Sequence, residues 1–253
     1  MQNLIIASNS KRGGGLDSAG GLSYALGLSR KSSAFTLAEV LITLGIIGVV
    51  AAMTLPSLVN RTRQKELETA FQKQYTLLQQ AIMKIKYEDQ MPFDRTSYTA
   101  NFKKRLAQEY NATKDCGAIN YNTGCVLLDE DAAFSYYKTL TGKTLDRCYF
   151  DDGGFITLDG TTFFVEQGYQ SSDTGYLVSI DVNGYKKKPN LMGYDFFMFQ
   201  ITKEGKVLPM GADNTYWKEQ REAYCSKTSS ANLNGVTCAY FALTDKDYFK
   251  NLH

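Results

Sequence analysis

The sequence predicts an α+β protein, a long N-terminal membrane-spanning α-helix packed on an antiparallel β-sheet head. Three observations carry that expectation. Val40 to Asn60 contains no charged residue. From Leu67 to Ile85 an apolar stripe recurs every three or four residues, and beyond Phe155 the period shortens to that of strands joined by turn-length connections. Of 253 residues, 43% are hydrophobic, and 17 Tyr with 14 Phe mark a folding chain rather than a disordered one. Lys+Arg 28 against Asp+Glu 26 leaves +2, too balanced to point to nucleic acid on charge. The one histidine is His253. Ser-His and Cys-His nucleophiles and zinc sites with more than one imidazole are thereby excluded, and no enzyme is expected.

The first element is the apolar span. Its 21 positions, Val40 to Asn60, would make a helix of about 31 Å, matching the hydrocarbon core of a bilayer. Arg30-Lys31 stands before it and no comparable span follows, which predicts a cytoplasmic N-terminus with the remainder across the membrane. A cleaved secretory signal has a shorter apolar core, about 7–15 residues, followed by a small-residue cut site. Glu39, at the start of the span, is costly in lipid, about 2.5–3.5 kcal/mol at mid-bilayer and less near the edge, and so needs a partner or a task. Gly45, Gly48 and Pro56 are expected to interrupt the helix.

Next comes the stripe Leu67, Phe71, Tyr75, Leu78, Ile82 and Ile85, with Lys, Gln and Glu between its members, the pattern of an amphipathic helix. Pro56 should kink or locally melt the rod without ending it. Glu88-Asp89 and Pro92 mark the stop, so a helix from Phe35 to Tyr87 would be about 80 Å long. The head then starts near Pro92. It is expected to hold one helix over Ser97–Tyr110, with Phe102, Leu106 and Tyr110 on one side, and another over Asp129–Leu140, capped by Asp129. Phe155–Leu158 and Thr161–Val165 read as strands joined by a tight turn at Asp159-Gly160. Tyr176–Val182, Tyr194–Thr202 and Val207–Met210 follow, an antiparallel meander with one apolar face on the helix stripe.

All five cysteines, Cys116, Cys125, Cys148, Cys225 and Cys238, lie in the head, a distribution suited to an oxidising compartment. Nearest neighbours suggest Cys116–Cys125 and Cys225–Cys238, although five cysteines allow fifteen ways of forming two bonds. Disulfides closing loops of this size stabilise by roughly 3 kcal/mol. The odd one, Cys148 in this pairing, is expected to be buried rather than reactive.

The residues around the start of the span carry a resemblance. Arg30-Lys31-Ser32-Ser33-Ala34 followed by Phe35-Thr36-Leu37-Ala38-Glu39 resembles the processing site of type IV pilins and type II secretion pseudopilins. The resemblance implies a pilin-like fold and a cut between Ala34 and Phe35 by a prepilin peptidase that also methylates the new N-terminal Phe35. Glu39 then becomes the fifth mature residue and Pro56 the twenty-second, positions where the family carries Glu and Pro. Ala34 stands where the family usually has Gly, and the leader is long, with Gly13-Gly14-Gly15 and Gly20-Gly21. No methionine lies between Met1 and Met53 to provide a shorter start.

On this resemblance the chain divides into 1–34, a cytoplasmic leader removed by the peptidase; 35–60, the apolar transmembrane and filament-core helix; 61–91, its amphipathic continuation; and 92–253, a periplasmic α+β head. Lys11, Arg12, Arg30, Lys31 and Asp17 leave with the leader, so the mature chain carries about −1. The freed amine of Phe35 would need a partner in a packed bundle of helices, and Glu39 could neutralise it and so set axial register. The alternative is that Glu39 stays among the lipid headgroups. A Cys225–Cys238 bond would staple the C-terminal segment, as in many pilin heads.

One loop resembles a narrower set of heads, those related to the major type II secretion subunit. It runs Asp181-Val182-Asn183-Gly184-Tyr185-Lys186-Lys187-Lys188-Pro189-Asn190, then Gly193-Tyr194-Asp195-Phe196. Such heads often hold calcium, for which Asp181, Asn183 and Asp195 offer oxygen ligands. The spacing is not an EF-hand and three lysines oppose a cation; the competing reading is a turn whose Asp and Asn side chains cap backbone amides.

The function implied is a structural subunit of a type II secretion pseudopilus or type IV pilus. It would reside in the bacterial inner membrane and then in the filament. Its implied partners are the prepilin peptidase, other pilins or pseudopilins, and an inner-membrane assembly platform with its ATPase; nucleic acid is not expected. Two alternatives stand beside it: a minor pilin whose head binds DNA, a surface or a secreted substrate, and a single-span periplasmic protein that does not polymerise.

Overall fold

The computed structural model describes residues 35–98, 101–117, 136–167 and 175–252. The chain divides into two compact units, Met1–Val50 and Ala51–His253. Helix α1, Leu37–Asp89, contains Pro56. Helical backbone continues through Gly45, Gly48 and Pro56, so none of them interrupts or melts it. A missing N–H at one position removes a single hydrogen bond, which the flanking turns absorb.

From Leu67 onward α1 buries Leu67, Phe71, Leu78, Ile82 and Ile85, the stripe that the spacing predicts. One member differs from expectation. Tyr75 is only partly buried, and Gln74 replaces it in the interior, donating from Nε2 to Thr161 Oγ1 at 2.9 Å. A polar group is tolerated there because it is hydrogen-bonded.

The rod ends where the charges fall. Asp94 accepts from Ser97 N at 2.9 Å and opens the short helix α2, Arg95–Tyr98. Hydrogen bonds from Thr96 and Ser97 hold its carboxyl down at about 2. Helix α3 is Phe102–Glu109. The single helix expected over Ser97–Tyr110 is thus two short ones, with Asn101 outside both. Arg105 of α3 pairs with Glu88 at 2.5 Å, Asp89 at 3.1 Å and Glu109, while Lys84 reaches Glu109 at 2.7 Å. These ion pairs bind α3 to the last turns of α1, and the Arg105 hydrogen bond holds the Glu109 carboxyl low. Phe102 stacks on Tyr176 at 4.1 Å between centroids, anchoring α3 on the sheet.

Six strands follow in chain order: β1 (Lys114–Asp115), β2 (Gly154–Ile156), β3 (Thr162–Glu166), β4 (Tyr176–Asp181), β5 (Phe196–Ile201) and β6 (Val207–Pro209). Each pairs antiparallel with its neighbour in sequence, in the spatial order β1-β2-β3-β4-β5-β6. The meander is therefore as predicted, with the added two-residue strand β1. The β2–β3 turn is closed by Asp159, which accepts from Thr157 Oγ1 at 2.6 Å and pairs with Lys73 of α1 at 2.8 Å.

The sheet differs from expectation in having both faces covered. Tyr176, Val178, Ile180, Phe197, Phe199 and Ile201 join the stripe of α1 in one core. Their neighbours Leu177, Phe196 and Met198 join Tyr137, Phe150, Met210, Trp217 and Val236 in a second core on the opposite face. Consecutive residues point to opposite faces, so a strand clothed on both reads as continuously apolar, as Phe196-Phe197-Met198-Phe199 does. Phe71 is central to the first core, with its ring 4.5 Å from that of Phe197 and 5.6 Å from that of Phe249.

The layer over the second face includes residues 136–140, the end of the helix expected over Asp129–Leu140. They are not helical: Lys138 forms single bridges with Thr144 and Leu191. Asp129, its expected cap, lies outside the described residues. Cys225 and Cys238 are bonded, with Cα atoms 5.0 Å apart, and pin the segment before helix α4, Cys238–Thr244. Cys116 is also disulfide-bonded, while Cys125, its expected partner, lies outside the described residues. Cys148 is exposed, not buried as expected, because the 3-10 turn Arg147–Tyr149 lies at the surface.

Candidate functional sites: the apolar terminus and the acidic loop

The N-terminal site begins at Phe35, 85% exposed. Thr36 and Glu39 cap the helix reciprocally: Glu39 Oε2 accepts from Thr36 N and from Thr36 Oγ1, both at 2.8 Å, and Thr36 Oγ1 accepts from Glu39 N at 3.2 Å. This is a capping box, and the Thr-x-x-Glu spacing at its start is the sequence signal that would have revealed Thr36. The carboxylate also lies at the positive end of the helix dipole. Glu39 therefore has a local task within its own chain, in addition to any partner it meets elsewhere.

The apolar residues beyond it find no core. Leu41, Leu44, Ile47, Met53, Leu58 and Val59 are all exposed, Ile47 at 63% and Met53 at 76%. An added methyl group at Gly45 or Gly48 would meet no atom within 4 Å. Hydroxyls along the span are turned back onto the backbone: Thr43 Oγ1 donates to Val40 O at 3.0 Å and Ser57 Oγ to Thr54 O at 2.9 Å. That leaves an almost wholly apolar outer surface. The helix is long and apolar enough to cross a membrane.

The second site is the β4–β5 loop, which brings Asp181, Asn183 and Asp195 together. Asp181 Oδ1 accepts from Gly184 N at 2.9 Å and Asn183 N at 3.3 Å, and its Oδ2 accepts from Tyr137 Oη at 2.7 Å. Asp195 Oδ1 accepts from Leu191 N at 2.7 Å, and Oδ2 from Asn190 N at 3.0 Å and Asn183 Nδ2 at 3.5 Å. Both carboxylates thus cap backbone amides, the task that the turn reading assigns them. Gly184 is required in this turn, since it has φ +83° and a Cβ there would lie 2.3 Å from Gly160 O. Asn190 adopts φ 57°. Burial, reinforced by mutual repulsion, pushes Asp181 up to about 8; burial also pushes Asp195 up to about 6.

Two further oxygens complete the loop. Asn183 Oδ1 and Asn190 Oδ1 are buried and accept no hydrogen bond. Two desolvated carboxylates with two orphaned amide oxygens form an oxygen-only donor set, which suits a hard cation such as calcium. Asn190 stands within the loop read from the sequence but is not among the ligands chosen there. Elsewhere Asp151, Asp152 and Glu166 bring carboxylate oxygens within 4.8 Å of one another, and Asp152 accepts from Gln167 N at 2.6 Å.

Residues 29–55 match the family described as the prokaryotic N-terminal methylation motif. The chain thus carries the prepilin-type cleavage and methylation segment of type IV pilins and pseudopilins. The segment points to a prepilin peptidase substrate and to a structural subunit rather than an enzyme. Together with the apolar helix it fits a single-pass inner-membrane protein. Comparison with curated proteins and with solved structures gives no match.

Proposed function

We propose that the chain is a filament subunit of a type II secretion pseudopilus or type IV pilus, cut between Ala34 and Phe35, methylated on Phe35 and assembled through α1. The observation that carries this reading is the pairing of the methylation segment with an apolar span whose large side chains, Leu41, Leu44, Ile47, Met53 and Leu58 among them, are exposed. Residues 40–59 must be covered by something else, first lipid and then the same span of other subunits. Glu39 offers the charge that a freed Phe35 amine would meet in such a bundle. An unpaired charge buried there costs roughly 3–5 kcal/mol, so the pair would select one axial register.

Processing is the direct test. Mass spectrometry of the membrane-extracted protein should find a chain that begins at Phe35 and bears one added methyl group. An intact Met1 terminus in cells with an active prepilin peptidase overturns the reading. Glu39→Val should insert in the membrane but enter filaments poorly; normal assembly would remove the register role and leave Glu39 as a helix cap.

A second reading concerns the loop. The orphaned Oδ1 atoms of Asn183 and Asn190 favour a calcium ion held with Asp181 and Asp195. A ligand bound only by the folded state stabilises it by about 2.7 kcal/mol at a hundredfold excess over Kd. The melting temperature should therefore rise with millimolar calcium and fall with chelator, and Asp195→Ala should abolish the difference. An identical melting temperature in both would leave the loop as a self-capped turn.

A further inference from the structure

We propose that the basic groove beside residues 58–66 holds the phosphate headgroup of an anionic phospholipid. The proposal rests on the membrane-embedded reading above and identifies which lipid the protein meets at the exit of its span. Arg61 and Arg63 follow at once on the exposed apolar residues Leu58 and Val59. The β4–β5 loop brings Lys186, Lys187 and Lys188 to the same level of the helix, where Arg63 donates to the carbonyl oxygen of Lys188. Leu58, Val59, Thr62, Arg63, Lys187 and Lys188 share one open groove of about 840 Å³.

Charge selects the occupant. Among the described residues Arg61, Arg63, Lys186, Lys187 and Lys188 form no ion pair; other surface lysines, Lys143 and Lys246 among them, form none either, so what distinguishes these five is that they gather at one level of the helix. Glu66 is the acid that lines the groove. Asp181 and Asp195 are fully buried, and their oxygens accept from backbone amides of the loop itself. Aromatic faces hold two of the lysines: Lys188 Nζ lies 5.1 Å from the Tyr136 centroid and Lys186 Nζ 5.9 Å from that of Tyr185.

A cluster of five cations at one level of the helix, with Glu66 as the acid in the groove, favours an anion from outside the molecule. Basic residues on this flank also oppose the orientation set by Arg30-Lys31, so they do not serve insertion. The apolar wall of Leu58 and Val59 argues for a lipid rather than a soluble phosphate. Acyl chains would continue along the span while Arg and Lys side chains reach the phosphate with their charged ends.

The full chain, reconstituted in phosphatidylcholine vesicles, would be probed by electron spin resonance with trace spin-labelled phosphatidylglycerol or phosphatidylcholine. The motionally restricted fraction should favour phosphatidylglycerol at least about threefold, as expected for cations held at an anionic lipid surface. The preference should fall to parity in a chain carrying Lys186→Gln, Lys187→Gln and Lys188→Gln, and in part with Arg63→Gln alone. High salt should erase it too, because screening at about 1 M acts over roughly 3 Å. Equal association of both labels with the unsubstituted chain overturns the proposal, as does competition to parity by millimolar inorganic phosphate. A spectrum without restricted lipid of either kind removes the membrane reading itself, and this proposal with it.

Discussion

The two stretches of α1 carry similarly apolar side chains into opposite circumstances. Between Leu41 and Val59 they are exposed, Ile47 at 63%; between Leu67 and Ile85 they are buried, Phe71 and Ile82 at 0%. The second stretch spends its apolar surface on the fold of its own chain, and the first keeps it for an environment outside. Sequence pattern marks the change. After Asn60 charged residues appear between the apolar ones, leaving a stripe one face wide.

Substitutions should separate the two stretches. Phe71→Ala removes a ring that touches Phe197, Phe199 and Phe249, and should cost about 3–5 kcal/mol. At roughly 2–4 °C per kcal/mol for a domain of this size, the head should melt many degrees lower by near-ultraviolet circular dichroism in detergent. Ile47→Ala should leave that transition where it is; an equal shift would erase the contrast. Opening the Cys225–Cys238 bond, by Cys225→Ser, should cost roughly 3 kcal/mol in the head without weakening membrane retention. Urea unfolding alongside alkaline extraction of membranes would measure both.

A further effect is set by pH. Asp181 and Asp195 have folded-state values near 8 and 6 against 3.8 in an unfolded chain, so the folded state keeps protons that the unfolded state has lost. Their contribution is therefore complete below about pH 4 and is lost as pH rises through 6 and 8. Asp94, Glu109 and Asp115 are held low and finish titrating in the acid range, so they do not mask this window. In chelator, the melting temperature should decline from pH 5 to pH 8, and calcium should flatten the slope. A flat profile in chelator would mean that the pair is not desolvated as described.

The features legible in the sequence were those with a period. The stripe of α1, the strands β2 to β6 and their sequential pairing all follow from spacings of 3.6 or 2 and from turn residues such as Asp159-Gly160. What was hidden depends on partners far along the chain. Gln74 looks like a surface residue until Thr161, 87 positions away, accepts from it. The second core was hidden because Tyr137, Phe150, Trp217 and Val236 come from segments without periodicity. Strand β1 has only two residues, Lys114 and Asp115, both exposed and without strand propensity. In the loop, Asp181 and Asp195 could be chosen from residue type, but Tyr137 and Asn190 are added by the tertiary fold.

The strand order has a kinetic consequence. Since spatial order equals chain order, each new strand finds its partner already made and waiting as the adjacent edge. Two of the five ladders, β2–β3 and β5–β6, close over five-residue connections; β4–β5 is joined by the fourteen-residue acidic loop, and the step from Asp115 to Gly154 is longer still. Short connections lower the entropy of closure and favour fast folding by successive addition. Helix α1 comes first in the chain, so its stripe is a template on which the sheet can zip up strand by strand, and α4 arrives last to let Cys238 meet Cys225. A chain delivered end-on, N-terminus first, would never have to hold a finished strand in wait for a distant partner.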